Sequence, residues 1–361
     1  MGNSTGYGYV NARIHGMRSY LLEKTTYEKI LSLGSINEMV DYLRKTPYRE
    51  ILEKELLFGD RVTAIDRALT RYFADHCNKI LKFTKGEPHL LFKLLFWRWE
   101  LENIKLLIYR IITDNTNQQK WKDNLIPLKG YQTETFEALE SINTLKAFQD
   151  WLATRRSPLV SVLRDLSKIG SDKLQVERVE TAFDNYYFEH IAKSLKSINV
   201  SKSVRTFKEM ISTEIEFKTI RTALRLLVLS TREKIPPELS IRDYFIHDET
   251  NKQVEALIKA IELNKLDETY AICLKSSYGK FLPPNFSSET INAQLDKIDL
   301  MLENEFIQRQ IRRTKKKYQG IGFGLAFCWQ LIAEVRNLRF LSQVIFSDYP
   351  RTEARRFLIF G

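Results

Sequence analysis

Cysteine is scarce in this chain, and the three present, Cys77, Cys273 and Cys328, are odd in number, far apart and set among apolar neighbours. That pattern excludes a disulfide framework and predicts small buried hydrophobes. Histidine is almost as rare. His15, His76, His89, His190 and His247 have no metal-ligand spacing, and His76 and Cys77, as adjacent residues, face different sides of any helix. No metal or cofactor site is expected. Long hydrophobic runs are missing as well: the richest, residues 321–333, ends at Glu334 and falls short of the roughly 20 apolar residues that a membrane-spanning helix needs. The start of the chain carries no secretory apolar segment, and Gly6 stands where a myristoylation signal has Ser or Thr. A cytosolic location is expected. Residues 2–8 are small and polar and are expected to be mobile unless a partner holds them.

Glycine and proline are also few, 14 and 9 in 361 residues, and strand-like alternation is scarce, whereas periodic segments such as 62–82 and 89–113 are long. With 43% hydrophobic residues the chain can bury a substantial core, and the expected class is all-α.

Within that helical background one polar signature recurs three times: Glu100, Asn103 and Lys105, then Glu216, Thr219 and Arg221, then Glu334, Asn337 and Arg339. The steps between the glutamates are 116 and 118 residues, a spacing that internal duplication leaves behind. Apolar residues at steps of three and four accompany each copy and mark one buried stripe of a helix. A second helical signal lies 34 to 36 residues upstream, matching Asp66, Leu69, Tyr72 and Phe73 with Glu180, Phe183, Tyr186 and Tyr187 and with Asp299, Leu302, Glu305 and Phe306. Each unit is opened by a short helix, for which Ser35 and Glu38 form a capping box and which Pro47 and Pro158 close in the first two units. Three pseudo-threefold-related units are predicted, over residues 1–125, 126–240 and 241–361, separated by polar irregular stretches at 113–133 and 231–241. Another such stretch, 276–288, interrupts the third. Symmetry is approximate, since Thr219 replaces Asn and Glu305 replaces Tyr. Because Glu and Asn at i and i+3 share a helix face beside the apolar stripe, each Glu is expected to bond a neighbouring helix or a basic side chain.

Catalytic signals are weak. Gly320, Gly322 and Gly324 are not preceded by a strand or followed by Lys-Ser or Lys-Thr, so close packing explains them better than a phosphate loop. No catalytic residue is assigned. The net charge of +11 implies an acidic counterpart. The cations are dispersed, and the one dense cluster, residues 309–317, lacks interleaved stacking aromatics, which argues against nucleic acid. A helical nucleic-acid-binding module is the alternative reading, and anionic lipid headgroups or an acidic protein socket suit the charge equally well.

The opening, Tyr7 to Ile14 with Met17, Arg18, Leu21 and Leu22, resembles the start of the C subunit of the archaeal and bacterial V/A-type ATPases (ATP synthases), the relative of the d subunit of eukaryotic V-ATPases. The resemblance continues through Thr46, Pro47 and Tyr48, through residues 99–105 and through residues 334–340. It implies a funnel-like, all-helical, non-catalytic protein of three pseudo-equivalent domains. Such a protein sits peripherally at the cytoplasmic face of the membrane, between the central-stalk rotor subunits and the proteolipid ring, and passes torque between ATP chemistry and proton or sodium transport. On that footing Tyr9, Asn11 and Arg13 are expected at a rim near the ring, and Arg98, Arg225 and Arg336 near helix ends or a central opening.

Overall fold

The periodic segments become the long helices α5 (Arg61–Phe83) and α6 (Gly86–Ile112) in a computed structural model, which describes residues 4–112, 124–128, 139, 141–167, 176–232, 240–246, 252–285 and 287–360. All regular structure among the described residues is helical. The expected boundary stretch at 113–133 falls largely outside them, as does most of 231–241. Asp60 starts α5 by accepting the Thr63 amide at 3.0 Å, which satisfies one of the free donors of the first turn.

Before α5 come α1 (Ser4–Arg18), α2 (Lys24–Leu31), α3 (Ile36–Leu43) and α4 (Arg49–Glu55). The Ser35 hydroxyl accepts from the Glu38 amide at 3.3 Å, as the capping box requires. The returning Glu38 carboxylate takes the amide of Gly34 at 2.9 Å, one residue earlier than that pattern specifies. α3 ends ahead of Pro47, and α7 (Leu145–Thr154) ends ahead of Pro158, beyond which α8 (Val160–Ser167) folds back against it. Of the stretch 2–8, residues 2 and 3 lie outside the described residues; α1 begins at Ser4, and the Tyr7 hydroxyl donates to Glu87 at 2.6 Å. Burial and that carboxylate together push the Tyr7 phenol well above its usual range.

The chain divides into two compact units, one of residues 1–173, 201–207 and 311–361, the other of residues 174–200 and 208–310. In the first, α14 (Gly322–Phe346) packs against α1, α2, α3 and α5. Its Gly324 lies where an added Cβ would stand 2.5 Å from Phe92 Cζ and 2.9 Å from Ile14 Cδ1, so the glycine run serves close helix packing. The thiols of Cys77 and Cys328 are buried there, and burial holds both well above the ordinary range, which makes them inert. His76 is buried too. Its Nδ1 lies 2.9 Å from the Tyr72 carbonyl, and burial favours the neutral ring.

The second unit holds α9 (Val176–Lys196), which packs on a 3-10 turn at Ile241–Tyr244, and the adjoining pair α11 (Lys252–Glu262) and α12 (Leu266–Lys275). Its long helices are most of α10 (Lys202–Arg232) and of α13 (Ser288–Lys315), joined by Phe217 and Phe306 stacked at 4.5 Å.

Candidate functional site: the repeated polar signature

Each copy of the signature lies on a long helix, and two of the three copies share a task at the Asn position and at the basic position. Asn103, on α6, donates to the Ile126 carbonyl at 2.8 Å and accepts the Ile126 amide at 2.8 Å. Asn337, on α14, does the same to Ile359, at 2.7 and 2.9 Å. The two asparagines thus clamp backbone 23 and 22 residues downstream, each with both functions of one amide. Thr219 sits at the corresponding place and lacks the atoms for such a clamp; its buried hydroxyl has no hydrogen-bond partner among the described residues. In that unit Asn185 holds the Phe245 carbonyl at 3.3 Å instead. For Asn337→Ala, losing both bonds leaves a buried amide and carbonyl unpaired, at about 1–3 kcal/mol each. Hydrogen exchange at the Ile359 amide should then accelerate more than about tenfold; an unchanged rate would mean that packing alone holds this segment.

Two of the three basic members also share a task. Arg339 reaches Asp66 on α5 and the Thr70 hydroxyl beside it. Arg221 reaches Asp299 on α13 at 3.3 Å, joined there by Arg225 at 3.0 Å. Asp66 and Asp299 are matched positions of the sequence repeat. Lys105 differs, with its ammonium buried along α6 and paired to Glu102 at 2.8 Å.

The acidic members meet their expected partners in different ways. Glu216 accepts the Ser277 hydroxyl at 2.5 Å and lies 3.7 Å from Arg309. Glu334, 2% exposed, accepts the Leu22 amide at 2.6 Å, the Tyr48 hydroxyl at 2.8 Å and the Tyr27 hydroxyl at 3.5 Å. No cation pairs with it among the described residues, and burial pushes its carboxyl up to about 7. Glu100 is also shifted upward by burial, partly opposed by Lys93.

Among the described residues no three His, Cys, Asp or Glu side chains converge as a metal site would require, and no helix is long and apolar enough to cross a membrane. Within the signature, Arg221 and Arg339 tie neighbouring helices, Asn103 and Asn337 hold downstream backbone, and Lys105 pairs along its own helix. Residues 10–357, which contain all three copies, match the protein family described as ATP synthase (C/AC39) subunit. The chain belongs to that family.

It is similar over 98% of its length to the C subunit of the A-type ATP synthase of Methanocaldococcus jannaschii, with 20% identity and 86% of that protein covered. The C subunit of the A-type ATP synthase of Methanosphaera stadtmanae is 22% identical over 98% of this chain, with 88% of its own length covered. The C subunit of the V-type ATP synthase of Deinococcus radiodurans is 24% identical over 51% of this chain and 52% of its own.

Of the residues that the family resemblance singled out for partners, Tyr9 is 56% exposed and lies edge-on to Phe83 at 6.4 Å. Arg13 is exposed over the same ring at 5.4 Å. Asn11 turns inward instead and donates to the Gly320 carbonyl at 3.2 Å. Arg98, Arg225 and Arg336 lie inside long helices and not at their ends: Arg98 over Trp99 and Trp329, Arg225 on Asp299, and Arg336 donating to the Phe357 carbonyl at 3.3 Å. Sequence reasoning missed Glu55, which is buried at the end of α4 between Arg67 and Arg71, at 2.9 and 2.7 Å.

Proposed function

We propose that this chain is a non-catalytic central-stalk subunit of a rotary V/A-type ATPase or ATP synthase, linking the rotor axle to the membrane proteolipid ring and transmitting torque for ATP-coupled proton or sodium transport. It acts at the cytoplasmic face as a peripheral protein, where its net charge of +11 suits anionic headgroups. The observation that carries the reading is the family match over residues 10–357, together with relatives named as the C subunits of A-type and V-type ATP synthases.

A torque-bearing adaptor must resist deformation. Long helices tied by recurring polar contacts do so, because close-packed interiors with discrete partners deform little. The paired use of Asn103 with Asn337, and of Arg221 with Arg339, supports three related units built over residues 1–125, 126–240 and 241–361.

The test is co-assembly. The tagged chain, drawn from gently solubilised membranes of its own cells, should bring proteolipid and central-stalk subunits, identified by mass spectrometry. Nucleic acid or unrelated proteins in their place would refute the coupling role. Arg13→Glu, which alters only an exposed side chain, should weaken recovery of the ring subunits while the fold persists; recovery equal to the unaltered chain would remove Arg13 from the contact.

A further inference from the structure

We propose that the groove between α1 and the C-terminal end of α5 is a seat for an acidic amphipathic helix of a neighbouring subunit. The groove is about 1050 Å³ in volume. Among the residues of α1 that line it, Gly6, Tyr9, Arg13 and Gly16 follow one another at steps of three, four and three, with Val10, Ala12 and Met17 beside them and Tyr20 just past the helix end. That is the heptad spacing of a seam that receives a second helix. Ile14 and Val10 are buried on the core side of α1, Val10 at the inner edge of the groove, while Gly6, Tyr9, Arg13 and Gly16 beside them are open to solvent.

The opposite wall has the same character. Lys79, Lys82 and Phe83 stand at i, i+3 and i+4 on α5, and Lys85 extends the line past the helix end. With Arg13, four cations therefore rim the groove, no carboxylate lines it, and none of the four forms a salt bridge among the described residues. A lone cationic site would suit any anion. The aromatic side chains of Tyr9, Tyr20 and Phe83, which line the groove together with the cations, call for a ligand that is apolar on one stripe and acidic along its edges. Gly6 and Gly16 add a shape requirement: nothing lies within 4 Å of where either Cβ would be, so a partner backbone can approach α1 closely at both ends. The stripe from Gly6 to Gly16 is about 15 Å long, which matches about 10 residues of helix.

The proposal deepens the coupling reading and rests on it for the source of the helix. Its test uses the full chain and a fluorescein-labelled three-heptad peptide with Leu at a and d and Glu at the remaining positions, followed by anisotropy. The peptide should bind, more weakly as salt rises, and a scrambled peptide of equal composition should not. Lys79→Glu with Lys82→Glu should weaken binding at least about tenfold through charge, and Gly16→Trp should do so through shape, with the far-ultraviolet spectrum unchanged in both. Equal binding of the scrambled peptide, or indifference to either variant, overturns the proposal. So does binding of phosphatidylserine vesicles with the same residue dependence and no peptide binding. Co-assembly of the unaltered chain with rotor subunits, measured alongside, separates the two failures: assembly without peptide binding rejects the groove alone, and peptide binding without assembly rejects the coupling role.

Discussion

Glu55→Ala should lower the unfolding free energy of the first compact unit by about 3–5 kcal/mol, the cost of breaking a buried ion pair from one side. The Glu55 side chain is 2% exposed and that of Arg67 is 9% exposed, with Arg67 Nε 2.9 Å from the carboxylate. Arg67 also donates through Nη2 to the carbonyls of Glu55 and Phe58, which fixes the turn between α4 and α5. Removing the carboxylate takes away the negative charge that Glu55 sets 2.9 Å from a buried guanidinium, while the two backbone carbonyls carry no full charge to replace it. Arg71, 57% exposed, is the outer partner, and Arg71→Ala should cost under about 1 kcal/mol because water screens it. Urea unfolding of both variants measures the contrast. A loss below about 1 kcal/mol for Glu55→Ala would mean that Arg67 swings to water once its partner is gone, and that the pair is not what orders this corner.

Glu55 also marks where reading the sequence ends. In α4 the run Arg49–Glu55 presents Glu50, Glu53 and Glu55 alike, and nothing in the pattern separates the exposed Glu53 from the buried Glu55. Burial of a single charge depends on Arg67 and Arg71, which arrive from another helix. The all-helical class was legible because apolar residues recur at helical steps over 62–82 and 89–113, and periodicity is a local property. The signature residues were legible for the same reason. Their tasks were not: Asn103 and Asn337 hold the backbone of Ile126 and Ile359, irregular segments in which a side-chain to backbone bond leaves no trace in composition. The groove was half legible. Tyr9 and Arg13 belong to the opening block, but Lys79 and Lys82, in a different helix, complete the groove only in the folded chain.

Glu334 is the buried carboxylate of the first unit that should titrate in a useful range. It occupies the repeat position at which Glu216 has Arg309 nearby, yet its own donors are neutral: the Leu22 amide, Tyr48 and Tyr27. Hydrogen bonds to the charged form favour ionisation, and burial opposes it more strongly, so the folded-state value rises from 4.5 to about 7. The native state then binds a proton that the unfolded chain has released between these values. Stability from this group is fullest below pH 4.5, falls as pH rises through the window and reaches its lowest level above pH 7, a difference of about 3 kcal/mol. Glu334→Gln removes the titration while keeping the shape. The free-energy gap between the unaltered chain and this variant should therefore move against the unaltered chain by about 3 kcal/mol from about pH 4.5 to about pH 8, in urea unfolding at fixed salt. A gap independent of pH would mean that Glu334 is ionised throughout. Three neutral donors would then be enough to hold a bare carboxylate in the core with no cation beside it.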